Sequence, residues 1–199
     1  LSQNTSMNFR PFATFFFLLL LACTPAPVPF HNTDLTGATF GRQFALSDHH
    51  GQQRSLADFS GKVVVIFFGY TSCPDICPTT LYEMTELMGQ LGPEADKLEV
   101  YFVTVDPERD SAARLQDFVP WFHPSFIGLR GDAAQTKAVA QEFRVFSARR
   151  EVGSELGYLP AHSAGAYAFD PAGRLRLYVR DAASVDEIAA DIRRLLAGQ

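Results

Sequence analysis

Two periods of hydrophobic residues alternate along this chain. Val63-Val-Val-Ile-Phe-Phe68 is an unbroken apolar run, the pattern of a central strand covered on both faces. Leu81, Met84, Leu87, Met88 and Leu91 then recur at helical spacing and predict a helix over 78–91. Residues 98–105 read as a second strand, 111–122 and 133–143 as helices, and 126–129 as a short strand or loop. Residues 44–46 and 54–56 pair across a polar turn at 48–51, and 166–169 and 175–179 across Asp170-Pro-Ala-Gly173. An amphipathic helix over 184–196 closes the chain, opened by the capping box of Ser184 and Glu187. Strand–helix alternation followed by a hairpin and a terminal helix is the order of a thioredoxin-like fold. The expected class is α/β, with a central mixed sheet flanked by helices and an extra N-terminal hairpin.

The first residues follow a different pattern. Met7-Asn-Phe-Arg10 carries a positive charge, and residues 11–22 are nearly all apolar, short for a membrane span and matched to the core of a signal peptide. The stretch ends Leu20-Leu-Ala-Cys23, which resembles the lipobox of bacterial lipoproteins. Cleavage before Cys23 would leave its thiol for a thioether to diacylglycerol, and so account for the odd one of three cysteines. Thr24-Pro-Ala-Pro-Val-Pro-Phe30 is a stiff, extended spacer. Three segments are therefore expected: a signal peptide at 1–22, a lipidated cysteine with its spacer at 23–38, and one domain at 39–199. That domain is exported, anchored to a membrane through lipid, and faces the periplasm or another extracytoplasmic space. A close cysteine pair there tends to oxidise unless a metal or a reductase intervenes.

With 199 residues, 47% hydrophobic and 20% charged, the chain can bury one sizeable core. Its net charge of −5 and the lack of any lysine or arginine cluster exclude a nucleic-acid footprint.

The chemistry concentrates in Gly69-Tyr-Thr-Ser-Cys-Pro-Asp-Ile-Cys-Pro78, directly after the apolar run. A residue before proline disfavours the α conformation, and proline fits the first helical position. Cys77 is accordingly expected at the helix cap and Cys73 in the turn before it. The positive end of the helix should favour their thiolates and lower their pKa. Thiolates bind soft metals or attack disulfides, and an imidazole from His162, in Tyr158-Leu-Pro-Ala-His-Ser-Ala164, would complete a site for Cu(I) or Cu(II). Structural zinc normally takes four protein ligands, and no fourth stands at a useful spacing. A structural disulfide between Cys73 and Cys77 is the plain alternative. A lone histidine is more often a surface or core residue than a ligand. His162, however, precedes a strand at 166–169 that should pair near 63–68 and bring it beside the cysteines. His49 and His50 are assigned to turn chemistry, His31 to the spacer, and His123 to a helix end before Pro124. None of these is assigned to metal. Asp106, in Val103-Thr-Val-Asp-Pro-Glu-Arg-Asp110, ends a strand on the edge where open α/β sheets build their sites. It is a candidate to stand behind the ligands, orienting a thiol proton or a partner's basic group. Its alternative is a loop acid capping the next turn, while Asp110 is expected to serve the following helix.

Taken together, Thr71-Ser-Cys-Pro-Asp-Ile-Cys-Pro78, Val103 to Asp110, Phe126-Ile-Gly-Leu129 and His162-Ser with Tyr167-Ala-Phe-Asp-Pro171 resemble the Sco/SenC family of copper chaperones. The resemblance implies a membrane-tethered thioredoxin-like domain that binds copper through Cys73, Cys77 and His162. It also implies a role in assembling the binuclear copper centre of cytochrome c oxidase, by delivering copper or by reducing the target's cysteines. The implied partners are the copper-centre subunit of that oxidase and a periplasmic copper donor or thiol reductase. Many members carry an aspartate before the histidine, where this chain has Ala161. The rival function is a thiol–disulfide oxidoreductase cycling Cys73 and Cys77. Against it stand the three intervening residues instead of two, Ala164 where such enzymes usually carry a cis-proline, and the absence of any task for His162. A peroxidase would need an activating arginine, or glutamine and tryptophan, beside one cysteine. The single tryptophan, Trp121, instead falls in the second helix. The expectation is a copper-binding assembly factor without catalytic turnover.

Overall fold

The computed structural model describes residues 28–151, 158–162 and 164–199, with the backbone alone for 147–151 and 158–162. The segments expected as signal peptide and lipidated Cys23 lie outside the described residues. In chain order the elements are β1 (Thr33–Asp34), β2 (Ala45–Asp48), β3 (Gln53–Ser55), β4 (Val63–Gly69), α1 (Ile76–Leu91), β5 (Leu98–Thr104), α2 (Ala112–Phe122), β6 (Ile127–Arg130), α3 (Ala133–Glu142), β7 (Ser147–Glu151), β8 (Tyr158–His162), β9 (Ala166–Phe169), β10 (Leu175–Val179) and α4 (Val185–Leu196). No described helix is long and apolar enough to cross a membrane.

One eight-stranded mixed sheet runs in the order β1-β10-β9-β4-β5-β6-β2-β3. Strand β4 is parallel to β5 and antiparallel to β9, with Gly69 opposite Thr104 and Phe67 opposite Ala166. Every residue of β4 is buried, as its continuous apolar run requires. Val63, Val65 and Phe67 share one core with Leu81, Met84 and Leu87 of α1 and Ile188, Ile192 and Leu195 of α4. Val64, Ile66 and Phe68 share a second core with Phe59, Tyr101, Phe143, Tyr167 and Phe169. Burying each such side chain is worth about 1.5–3 kcal/mol, so the alternation along β4 fixes the layers on both faces. The expected hairpin β2–β3 and the box at the start of α4 are both present. In the box the Ser184 hydroxyl accepts from the Glu187 N–H at 3.3 Å, and the Glu187 carboxylate accepts from the Ser184 N–H at 3.1 Å.

Two parts depart from the expectation. The spacer was expected to reach residue 38, yet residues 28–34 are docked on the domain. The buried carboxylate of Asp191 accepts from the N–H groups of His31 and Asn32 and from the Asn32 amide. Arg194 donates to the carbonyls of Val28 and Pro29 and covers the Phe30 ring at 4.1 Å, and β1 joins β10. No hydrophobic period marks these residues, because their anchors lie at the far end of the chain. Between α3 and β9, where no element was expected, β7 and β8 pair antiparallel, with Ser147 opposite His162.

Candidate metal centre

Helix α1 begins at Ile76, so Cys77 is its second residue and Pro78 its third. This corrects the placement of Cys77 at the cap. The first N–H groups of a helix have no intrahelical acceptor, so a proline anywhere in the first turn forfeits no hydrogen bond. Asp75, at the cap itself, gives no side-chain bond to the helix. The sulfur of Cys73 takes that part: the Cys77 N–H points to it at 3.5 Å. The Cys73 N–H in turn bonds the Tyr70 carbonyl at 3.2 Å, which closes the turn leaving β4. Both cysteines are reduced thiols, Cys73 half-buried and Cys77 fully buried.

The electrostatics run against the sequence expectation. Hydrogen bonding with Cys73 and burial push the Cys77 thiol up, and the nearby charge of Asp110 adds to this. A bond from the Tyr70 N–H acts the other way without prevailing. The helix end is where the sequence placed it, but a sulfur out of water and facing a second sulfur holds its proton. Burial also raises the phenol of Tyr70, whose hydroxyl is hydrogen-bonded with Cys73. Two sulfurs of one soft chemical type thus meet at a strand end, one reachable from solvent. That donor set fits a thiophilic ion, which replaces the thiol protons outright.

His162 is the last residue of β8, four positions before Ala166, and Ala166 pairs with Phe67 of β4. The strand that follows His162 therefore lies beside β4, at the end from which the cysteine loop departs. The side chain of His162 lies outside the described residues. Among the described residues, no three histidine, cysteine or acidic side chains gather into a metal-holding group.

Asp106 is buried and ion-paired with Arg109, and its N–H bonds the Thr104 hydroxyl at 3.0 Å. The Arg109 charge is felt at Tyr70, where it opposes the rise that burial causes. Asp110 does not cap α2. That task falls to Ser111, whose hydroxyl accepts from the Arg114 N–H at 3.1 Å. Asp110 is instead fully buried and accepts from the Thr71 N–H at 3.0 Å, the Thr71 hydroxyl at 2.6 Å and the Thr104 hydroxyl at 2.6 Å. Sequence reasoning missed it because an acid just before a helix reads as a cap. The two threonines, one at the end of a strand and one just beyond the other, were the available signal.

The other histidines keep structural places. His49 is buried, and its Nδ1 accepts the Gly128 N–H at 2.9 Å while its Nε2 lies 3.0 Å from Nε2 of His50. An acceptor at Nδ1 puts the proton of the neutral ring on Nε2, so that ring has no lone pair left for a metal. His123 is paired with Ser125, and the His31 N–H with Asp191.

The sheet order and this loop define a class: a thioredoxin-like domain with a Cys-x₃-Cys pair between a central strand and the helix after it. Residues 32–197 match the model of the SCO1/SenC family, and the chain belongs to that family. It is 37% identical over 156 residues to the mitochondrial SCO2 homolog of Bos taurus, covering 77% of this chain and 59% of that protein. The chain thus spans less than two thirds of the length of that relative. Among solved structures, Bradyrhizobium japonicum ScoI with copper bound is similar at a TM-score of 0.72 and 36% identity, over 78% of this chain and 99% of that one. Yeast Sco1 with copper bound is similar at a TM-score of 0.73 and 30% identity, over 80% and 90% of the two chains.

Proposed function

We propose that this protein is a membrane-tethered copper metallochaperone serving the binuclear copper centre of cytochrome c oxidase. Copper is its cargo, held as Cu(I) or Cu(II) by Cys73, Cys77 and His162. The observation that carries this reading is the pairing of Cys73 and Cys77 at the first turn of α1, where the Cys77 N–H points to the Cys73 sulfur and the two thiols are hydrogen-bonded with no disulfide between them. Membership of the family, and the copper bound in two of its structures, support it.

The chain's own residues have distinct parts. Cys73, the more exposed sulfur, meets the incoming ion and gives up its proton. Cys77 follows, and burial keeps water from competing for the second bond. His162, carried into place by the strand that leads to β9, supplies the third and most easily detached ligand. A partner thiolate then approaches from the Cys73 side, and copper passes by exchange of one ligand at a time. Export by the segment 1–22 and a lipid on Cys23 would hold the domain at the membrane that contains its target. A periplasmic copper donor or thiol reductase would keep it loaded or reduced.

The rival reading uses the same pair as a reductant of partner disulfides. Cys73 would attack, Cys77 would displace the partner thiol, and the chain would end as the Cys73–Cys77 disulfide.

Titration of the reduced protein with Cu(I) against a competing chelator separates the two. One copper per chain, lost in Cys73→Ser/Cys77→Ser and weakened in His162→Ala, is the expected result. No binding by a dithiol that still reduces disulfides would assign the protein to the oxidoreductases. Unchanged affinity in His162→Ala would remove that ligand.

A further inference from the structure

Asp110 is fully buried, and the cap at its own helix is already supplied by Ser111. Its carboxylate instead joins two segments that meet only in the folded chain. One oxygen accepts the Thr71 hydroxyl at 2.6 Å; the other accepts the Thr71 N–H at 3.0 Å and the Thr104 hydroxyl at 2.6 Å. The direction of both hydroxyls is set by their other partners. Arg114 Nε donates to the Thr71 oxygen at 3.2 Å, and the Asp106 N–H donates to the Thr104 oxygen at 3.0 Å, so each hydroxyl proton is left for Asp110. The Asp110 carbonyl is itself held by Arg130 at 3.2 Å. Thr104 ends β5 opposite Gly69, and Thr71 stands two residues before Cys73 in a stretch with no strand or helix of its own.

We propose that Asp110 is the positioning residue of the cysteine loop, fixing where Cys73 stands relative to Cys77 without touching the cargo. The Thr71–Asp110 bonds hold the start of the loop, and the turn from Tyr70 to Cys73 transmits that position to the first sulfur. Asparagine at 110 keeps the shape but has one acceptor oxygen where the carboxylate has two, so at least one of the three bonds is lost. The proposal deepens the copper reading and rests on it for one of its two readouts.

The test compares the full chain with Asp110→Asn, Thr71→Val and Asp191→Asn. Asp191 is an equally buried carboxylate with three donors, placed on the N-terminal segment, and controls for general loss of stability. The first readout is Cu(I) affinity by chelator competition. The second is the rate at which oxidised glutathione closes the copper-free pair: one thiolate displaces glutathione to give a mixed disulfide, and the other displaces the second glutathione. Two thiols are oxidised as one disulfide is reduced, and the closing step reads the distance between the sulfurs. Asp110→Asn and Thr71→Val are expected to lower affinity and slow closure about tenfold or more, with the circular dichroism of the wild type. Asp191→Asn should stay within about twofold in both. Asp110→Asn matching the wild type, or Asp191→Asn losing as much, would overturn the proposal. Should Asp110→Asn not fold, Thr71→Val decides alone: wild-type values overturn it. If the wild type itself takes no copper, the copper reading fails while closure still tests the position of the loop.

Discussion

Gly69 stands so close to Cys77 that a Cβ on it would lie 2.9 Å from the thiol sulfur and 2.7 Å from the ring of Phe102. Both neighbours are fully buried, so one of them must shift within the packed core. Gly69→Ala is expected to destabilise the protein by about 1–3 kcal/mol, the usual cost of overpacking a core, and to weaken Cu(I) binding by displacing Cys77. Urea unfolding and chelator competition measure the two effects. Unchanged values in both would mean that β4 does not fix the sulfur.

The raised Cys77 thiol makes stability depend on alkaline pH. Its ordinary value is 9.0, and hydrogen bonding with Cys73 together with burial raises it in the fold. Above pH 9 the unfolded chain gives up a proton that the copper-free native protein keeps. The stabilisation is complete below pH 9 and declines as pH rises, by up to about 1.4 kcal/mol per pH unit. Urea midpoints of the reduced protein between pH 8 and 10 should therefore fall, and less steeply in Cys77→Ser. Equal slopes would place the thiol's proton affinity at its ordinary value.

His49 acts at the acid end. Burial, and next the neighbouring His50, hold its pKa below 6.5. The native ring thus stays neutral where the unfolded one is protonated. Its contribution is present above pH 6.5 and is lost as pH falls below that value, until the native ring protonates too. His49→Asn offers an amide oxygen to the Gly128 N–H in place of Nδ1 and should flatten stability between pH 6.5 and 5. A variant with the wild-type acid slope would show that another group carries it.

Local pattern determined much of this protein. The apolar run 63–68, the helical stripe from Leu81 to Leu91 and the Ser184–Glu187 box each encode an element through neighbours a few residues away, and each is found where read. The cysteine loop was legible for the same reason, since strand, paired thiols and prolines are contiguous. Only the tertiary structure decided the rest. Asp110 serves Thr71, 39 positions away, and not the helix beside it; Asp191 binds His31 across 160 positions. Cys77 keeps its proton because the packed core removes water and turns it toward Cys73. Hydrophobic period is a property of neighbouring residues in the chain. Burial, and the choice of hydrogen-bond partner for a buried polar group, exist only once distant segments have been brought together.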